Sequence, residues 1–311
     1  MYKYDDDLIQ YNEAFSIFNL KDYALARKKV TEISAQKPKP STAGVDVTDL
    51  TISGSKSSSV PIRVYQKSNY QKDTPVILTI HGGGFVLGSI NTDHKLSLEF
   101  VNELDVSVVS VDYRVSPESQ FPDALYDCYA ALEFIYSNAE EYGFDKDKVI
   151  VHGISAGGGL AAALCLLTRD LEGPKVYHQY LDLPELDDRM NSQSMLMYQN
   201  TPGWNTPNAE LSWQYYLGDK YKTDDVSYYA APSRVDDVSG LPTATITAYQ
   251  YDPLCSEAIE YAEKLYSKAI NTDLRVYSGV YHLAYLVEDS QIGMRHKHDK
   301  FSNLRKILSN D

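Results

Sequence analysis

The sequence predicts an α/β fold in which a mostly parallel central sheet is covered by helices on both faces. Nearly continuous apolar runs recur along the chain, which is typical of strands buried on both faces and therefore parallel. Helical stretches lie between these runs, and strands that alternate with helices form a doubly wound sheet. The chain of 311 residues is also long enough to bury a large core without disulfides or metals.

The predicted strands differ in pattern along the chain. Residues 46–52 and 60–65 alternate well enough to form an antiparallel pair around a turn at 54–59. The other predicted strands are apolar runs, at 75–80, 106–111, 148–151, 243–248 and, more weakly, 274–277. The helices predicted between them lie at 96–104, 123–136, 158–169 and 256–268.

The first 45 residues do not follow this alternation. Residues 5–35 are predicted to be helical, because apolar side chains recur at helical spacing among Lys and Glu. These side chains are Leu8, Ile9, Phe15, Phe18, Leu20, Leu25 and Val30. The Pro-containing segment 37–41, which starts at Lys37, predicts a linker. We therefore expect residues 1–45 to form a helical cap element and residues 46–311 to form the main domain.

Residues 184–230 also fit the alternation poorly, and they are rich in aromatic residues, Asn and Pro. The aromatic residues include Trp204, Trp213, Tyr215 and Tyr216. We expect a partly helical insertion that packs on the N-terminal helices as a cap, because an amphipathic helix must bury its apolar side. The alternative is that this segment only decorates the surface.

Composition and charge disfavour several classes of function. The net charge of −14 disfavours nucleic acid as a partner, offers no basic patch to a membrane, and most simply predicts solubility. Three widely spaced cysteines, Cys128, Cys165 and Cys255, match neither a disulfide framework nor a zinc pattern. The chain does not open with a secretory signal, and no apolar run approaches the roughly 18 residues of a membrane span. We expect a cytoplasmic protein.

The segment Gly153-Ile154-Ser155-Ala156-Gly157 lies between a predicted strand and a predicted helix. A serine in such a tight turn projects its hydroxyl above the sheet, and the glycines allow strand and helix to approach closely. The helix N-terminus adds free N–H groups and the positive end of its dipole. This context predicts that Ser155 is a nucleophile. The alternative is a glycine-rich turn that binds nothing.

The segment His81-Gly82-Gly83-Gly84-Phe85 follows the predicted strand 75–80. Glycines at a strand end let backbone N–H groups point into a cavity, and acyl transfer needs such donors because its transition state carries an oxyanion. We expect Gly83 and Gly84 to supply them, together with the N–H of Ala156, while His81 holds the loop by hydrogen bonds. A flexible loop is the alternative, and a phosphate loop is disfavoured because no Gly-Lys-Ser/Thr follows.

Seven segments between about residues 60 and 290 carry a resemblance to a known family. They are HGGGFVLGS (81–89), DYRVSPE (112–118), FPDALYDCYAAL (121–132), GISAGGGLAAAL (153–164), DDRM (187–190), GLPTATITAYQYDPL (240–254) and LRVYSGVYH (274–282). In this order they resemble the hormone-sensitive-lipase-like (family IV) esterases of the α/β-hydrolase superfamily. The resemblance implies an α/β-hydrolase fold, with a central sheet of about eight strands and a helical cap.

The resemblance also implies a catalytic triad in the order serine, acid, histidine. Asp252 follows the predicted strand 243–248, where the family places its acid, and His282 stands at the family's histidine position. Taken alone, Asp252 would only predict an Asp-Pro turn, and a lone histidine is usually structural. In the implied roles, His282 takes the Ser155 proton and returns it to the leaving alcohol, while Asp252 fixes the imidazole tautomer.

The chain departs from the family pattern at three places. Ile154 stands where the family most often has Asp or Thr, which predicts altered local hydrogen bonding. Cys255-Ser256-Glu257 stands where Arg-Asp-Glu is common, and Leu283-Ala284 where Gly-Phe is usual. These departures bear on substrate preference more than on mechanism.

The remaining histidines carry no chemical signal. His296 and His298 lie in a charged stretch that we expect to be solvated rather than metal-binding. His94 and His178 have no partner motif, and His152 is expected to point away from the serine. We therefore expect no metal and no cofactor.

The function implied by the resemblance is that of a carboxylesterase cleaving small, short-acyl esters, and a homodimer or higher homo-oligomer is compatible with the family. Deacetylation of sugars or amides is a close variant that the sequence does not separate from ester hydrolysis. A non-catalytic receptor on the same fold is disfavoured because His282 is present. The acidic surface and the lack of a secretion signal disfavour a lipase acting at an oil surface.

Overall fold

The computed structural model describes residues 3–15, 19–36 and 38–309, and a twisted sheet of eight strands runs through this part of the chain. The strands are β1 (Val45–Ser53), β2 (Ser59–Lys67), β3 (Thr74–Ile80), β4 (Ser107–Val111), β5 (Phe144–Ile154), β6 (His178–Asp182), β7 (Thr243–Tyr249) and β8 (Thr272–Tyr277). Their order is β1-β2-β4-β3-β5-β6-β7-β8. The β1–β2 and β2–β4 pairs are antiparallel and the rest are parallel. The predicted α/β fold is confirmed.

Helices cover both faces of the sheet. They are α1 (Asn12–Phe15), α2 (Tyr23–Gln36), α3 (His94–Leu104), α4 (Asp123–Ser137), α5 (Ala139–Tyr142), α6 (Ala156–Asp170), α7 (Gln193–Met197), α8 (Thr206–Leu217), α9 (Cys255–Ser267) and α10 (Gln291–Leu308). Along β3, Leu78 packs in a core with α4, α6 and α9, while its neighbour Ile77 packs in a second core with α3 and α10. This double burial explains why the parallel strands are apolar throughout.

Strand β6 and helix α10 are the main elements that the sequence pattern does not predict. The β6 sequence, HQYLD, has no apolar run, yet all five residues are buried. The His178 ring bonds the hydroxyls of Thr243 and Thr245 on β7, at 2.8 Å and 3.1 Å. Polar residues can be buried inside the sheet because a neighbouring strand supplies their hydrogen-bond partners. Here that strand is distant in sequence, so the sequence pattern does not reveal β6.

The N-terminal segment is not the single helix expected over 5–35. It consists of a 3₁₀ turn at Asp6–Tyr11, α1, a second 3₁₀ turn at Leu20–Asp22, and α2. Leu8 packs with Val280 and Tyr281 near the end of β8, whereas Leu20 packs with Val86 and Met195. These two docking surfaces lie on different parts of the molecule, so one straight helix would not serve both.

The predicted apolar stripe of this segment is only partly buried. Ile9 and Leu25 are exposed, contrary to expectation, while Leu8 and Leu20 are buried. Phe18 and Lys37, which belong to the predicted helix and linker, lie outside the described residues.

A buried charge network joins α10 to the centre of the sheet. Asp182, at the end of β6, lies 2.5 Å from Lys300 Nζ, 3.0 Å from His296 Nε2 and 2.5 Å from the Thr247 hydroxyl. His152 lies next to the same carboxylate, with Nε2 at 3.6 Å. The expectation that His296 is solvated is wrong, because the fold of α10 turns it inward, whereas His298 is exposed as expected.

The network keeps Asp182 ionised inside the protein. Burial by itself would raise the pKa of this carboxyl, but the Lys300 ammonium and then His296 outweigh burial and hold the pKa well below its usual range. Asp182 and Lys300 therefore neutralise each other's charge in the buried interior of the protein.

Loss of Lys300 is expected to destabilise the fold strongly. Lys300→Met leaves the buried Asp182 carboxylate unpaired and should lower the free energy of unfolding by about 3–5 kcal/mol. Lys297→Met is the matched control on the same helix, because Lys297 forms a partly exposed ion pair with Glu99 at 2.8 Å. The control should change the free energy by less than about 1 kcal/mol in the same denaturant titration. Equal losses from the two substitutions would contradict the proposed importance of the buried pair.

Candidate active site

Ser155 occupies a sharp turn between β5 and α6. Its backbone has φ 58° and ψ −121°, a conformation that residues other than glycine rarely adopt. Three hydrogen bonds hold the turn: the Ser155 N–H donates to the Asp182 carbonyl at 2.8 Å, and the N–H groups of Gly159 and Glu185 donate to the Ser155 carbonyl at 3.0 Å and 3.1 Å. The hydroxyl is thereby presented at the C-terminal edge of the sheet.

The glycines on either side of Ser155 are required by close backbone contact. A Cβ atom built on Gly157 would lie 2.1 Å from the carbonyl oxygen of Ile80, and one built on Gly153 would lie 2.1 Å from the carbonyl oxygen of Gly157. No side chain fits at either place without moving the backbone. The strand and helix can therefore cross as closely as the turn requires only with glycine at both positions.

Ser155, His282 and Asp252 form a continuous hydrogen-bonded chain. The distance from Ser155 Oγ to His282 Nε2 is 2.8 Å, and from His282 Nδ1 to Asp252 Oδ2 it is 2.5 Å. Asp252 lies in the loop after β7, and its other oxygen accepts from the Leu254 N–H at 2.9 Å. His282 begins a short 3₁₀ helix after β8. The three side chains are nearly buried, with Ser155 the most exposed at 5%.

The glycine loop after β3 lies beside the serine. Gly83 and Gly84 have positive φ values, 131° and 58°, and a Cβ on Gly83 would lie 2.1 Å from the Leu87 carbonyl oxygen. Within the described chain, no acceptor is bonded to the N–H groups of Gly83, Gly84 or Ala156. Ala156 is also the first residue of α6, where the helix dipole is positive. The three unpaired amides are available to stabilise a negative oxygen next to Ser155.

Comparison with known proteins identifies the family. A family model described as the alpha/beta hydrolase fold matches residues 77–286. An arylesterase of Saccharolobus solfataricus is 33% identical over 252 residues, which cover 79% of this chain and 79% of that protein. A carboxylic ester hydrolase of Mycobacterium tuberculosis is 33% identical over 268 residues, which cover 84% of this chain and 70% of the relative.

Among solved structures, that of a bacterial heroin esterase is similar over 99% of both chains, with a TM-score of 0.96 and 37% identity. The chain belongs to the hormone-sensitive-lipase-like (family IV) esterases. It is therefore a serine carboxylesterase-type hydrolase, and its reaction class is ester hydrolysis.

In this esterase, His81 supports the glycine loop, as expected from the sequence. Its Nδ1 lies 2.9 Å from the Gly82 carbonyl oxygen, and its ring stacks on that of Tyr113 at 4.1 Å between centroids. The Tyr113 hydroxyl donates to the His81 carbonyl at 2.9 Å. Burial lowers the pKa of His81, so the neutral imidazole is favoured. These contacts suit a structural role.

The 184–230 insertion of the esterase covers this site. The Trp204 ring lies over the glycine loop, so that a Cβ on Gly84 would come within 2.4 Å of Trp204 Cη2. The same ring lies 6.0 Å from the His282 ring between centroids. The neighbouring Gly203 packs so tightly on Leu283 that a Cβ there would lie 2.7 Å from Leu283 Cγ.

The N-terminal segment of the esterase contacts both the insertion and the glycine loop. The Leu20 N–H donates to Asn208 Oδ1 at 3.1 Å, and the Tyr215 hydroxyl donates to the Leu20 carbonyl at 3.2 Å. Further along the chain, Arg27 of α2 donates to the Val86 carbonyl at 2.9 Å. The two segments expected to form a cap thus lie together above the catalytic edge of the sheet.

Sequence reasoning identified the side chains of the hydrogen-bonded chain but missed Asp182 and Glu185, which hold the Ser155 backbone. Both lie in or next to β6, the strand without an apolar run. Their position at the carboxyl end of a strand in a parallel sheet, where binding sites form, could have identified them. Ile154, one of the departures from the family pattern, has a buried apolar side chain at the end of β5.

In residues 3–15, 19–36 and 38–309, no three His, Cys, Asp or Glu side chains are grouped to hold a metal ion. None of the helices of this described part has both the length and the apolar character needed to cross a membrane. The three cysteines are buried and unpaired.

Proposed function

We propose that this esterase cleaves small, short-acyl carboxylic esters through a triad of Ser155, His282 and Asp252. The observation that carries the proposal is the hydrogen-bonded chain from Ser155 Oγ through the imidazole to Asp252, with distances of 2.8 Å and 2.5 Å. A serine hydroxyl is a weak nucleophile at neutral pH, and this chain supplies the base that activates it.

In the acylation step, Ser155 Oγ attacks the ester carbonyl carbon and its proton passes to His282 Nε2. The carbonyl oxygen becomes negative and accepts hydrogen bonds from the N–H groups of Gly83, Gly84 and Ala156. The carbon–oxygen bond to the alcohol then breaks, and His282 gives its proton to the leaving alcohol. An acyl group remains on Ser155.

In the deacylation step, water attacks the acyl carbon while His282 accepts its proton, and the same proton returns to Ser155 as the acid leaves. Asp252 accepts from the Nδ1–H of His282 throughout, so that Nε2 remains the basic nitrogen. The negative Asp252 also stabilises the imidazolium formed in each half of the reaction. Leu254 fixes the carboxylate through its N–H.

The roof over Ser155 supports a preference for short acyl chains. The Trp204 ring contacts Gly84 and lies close to the His282 ring. Leu283, which follows His282, packs against Gly203, the residue before Trp204. Little space is left above a serine that is only 5% exposed. A small acyl group fits such a space, whereas a long chain must displace the indole ring.

Ser155→Ala is expected to lower kcat by on the order of 10⁵–10⁶, because the nucleophile is lost while substrate binding remains. Ser110→Ala is the control, since Ser110 is a buried serine on β4, which is separated from β5 by β3 in the sheet. A serine-directed organophosphate should label Ser155 in the wild type, as found by peptide mass spectrometry. A tenth of the activity remaining in Ser155→Ala, or a label on another serine, would refute the assignment.

Asp252→Asn is expected to lower kcat by about 10⁴, because the amide no longer selects the productive imidazole tautomer. Asp236→Asn is the control, as Asp236 is exposed on the chain between Ser155 and His282. Circular dichroism should show that both variants are folded. Near-normal turnover of Asp252→Asn would show that another carboxylate is the triad acid. Glu257→Gln would then be the next variant to measure.

Trp204→Ala should widen the range of acyl chains. The ratio of kcat/KM for a nitrophenyl octanoate to that for the acetate should rise by about tenfold or more, because removal of the indole opens room for several methylenes. Leu196→Ala is the control within the same insertion, since Leu196 is exposed on α7. An unchanged profile in folded Trp204→Ala protein would show that the indole does not limit the acyl pocket.

A further inference from the structure

Glu185 is a buried carboxyl group that the proposed mechanism does not use. Its side chain is fully buried between the end of β6, the start of α6 and the cap helix α8. Ser212 of α8 lies between it and the glycine loop. The Ser212 Oγ is 3.0 Å from Glu185 Oε1 and 3.0 Å from the carbonyl oxygen of Gly84.

The number of hydrogens in this cluster points to a proton on Glu185. A serine hydroxyl has one hydrogen, so Ser212 can donate to only one of the two oxygens. The Gly84 carbonyl is always an acceptor, and an ionised Glu185 would be an acceptor as well. A protonated Glu185 resolves the conflict, because it donates to Ser212 Oγ and Ser212 then donates to Gly84.

The surroundings of Glu185 favour the same neutral state. The carboxyl groups of Asp252 and Glu257 face it from the loop after β7 and from α9, whereas α6 and α8 approach it with the uncharged Gly159 and Ser212. Among the described residues, no cation forms an ion pair with Glu185, and its Oε2 atom has no hydrogen-bond partner. An ionised carboxylate would be poorly compensated in this position.

The pKa of Glu185 agrees with a protonated carboxyl group. Burial, assisted by the negative charge of Asp252, raises its pKa to about 8, although the Ser212 hydrogen bond acts in the opposite direction. Burial also raises the pKa of Glu257 well above its usual range. Asp252, whose charge acts on Glu185, is itself hydrogen-bonded to His282.

We propose that Glu185 is a positioning residue that, in its protonated form, holds the oxyanion loop to the cap through Ser212. This inference rests on the proposed function, because it takes Gly84 as a donor to the oxyanion. The relay anchors the carbonyl of Gly84, and with it the backbone whose N–H must point at the reacting oxygen. Trp204 presses on the same glycine from the cap side.

Ionisation of Glu185 has two consequences for the reaction. The carboxylate can no longer donate to Ser212, so the relay to Gly84 is broken. A negative charge also appears near the place where the oxyanion forms, which opposes the transition state. Because the protonated form predominates below the pKa, kcat should be highest below it and fall as the pH rises through it.

The test is the pH profile of kcat for the full-length wild-type enzyme and for Glu185→Gln. The amide of glutamine donates to Ser212 at every pH and never ionises. Wild-type kcat should fall as the pH rises through about 8, whereas Glu185→Gln should match wild type within about twofold at pH 7 and show no fall up to about pH 9.5. A wild-type profile without the fall, or the same fall in Glu185→Gln, would overturn the inference.

Ser212→Ala provides a second measurement that does not depend on the folding of Glu185→Gln. It removes the relay and should lower kcat at pH 7 by about tenfold, the effect of roughly one hydrogen bond, with KM little changed. Thr168→Val is the control, because it removes a buried hydroxyl that also donates to a backbone carbonyl, near the other end of α6. The double variant Ser212→Ala/Glu185→Gln should be no less active than Ser212→Ala alone. Unchanged kcat in Ser212→Ala would refute the relay.

Failure of this inference is distinguishable from failure of the proposed function. If Ser155→Ala remains active, the assignment of the whole oxyanion site fails, and the relay fails with it. If Ser155→Ala is inactive while Ser212→Ala and Glu185→Gln behave like wild type at all pH values, only the role of Glu185 is overturned.

Discussion

The left-handed backbone of Ser155 is held by the close crossing of β5 and α6, and the rest of the site is arranged around it. The crossing excludes a Cβ atom at Gly153 and Gly157, and the amides of Gly159 and Glu185 hold the Ser155 carbonyl. Such a conformation persists only where its surroundings over-determine it. The loops after β3, β7 and β8 then bring the glycines, Asp252 and His282 to a hydroxyl whose position is already set by the backbone.

Asp182 and Glu185, beside this turn, are both buried, but the pKa of the first is lowered and that of the second is raised. Asp182 is ionised, and the ammonium of Lys300 compensates its charge within 2.5 Å. No residue of the described chain forms an ion pair with Glu185, and its raised pKa favours the neutral acid at pH 7. Both residues also use their backbone to hold Ser155, so the segment that carries these two acids also fixes the position of the serine.

The N-terminal segment and the aromatic insertion lie on the same edge of the sheet as the hydrogen-bonded chain of Ser155, His282 and Asp252. Arg27 reaches the loop that follows the glycines, and Leu20 packs with residues of the insertion. The break between the two N-terminal helical parts allows Leu8 to pack near Tyr281, directly before His282. Segments that precede the sheet in sequence therefore pack on the edge of the sheet that carries Ser155.

The sequence alone determined the class of fold, the family and the side chains of the hydrogen-bonded chain. Apolar parallel strands and the glycine-flanked Ser155 are local features, because double burial and a tight turn each require particular residues at adjacent positions. Tertiary structure decided the rest. The inward placement of His296, the pairing of Lys300 with Asp182 and the contact of Ser212 with Glu185 join residues that are 27 or more positions apart. A polar residue in a charged or aromatic stretch looks solvated until its partner is known, and only folding brings that partner within hydrogen-bond distance.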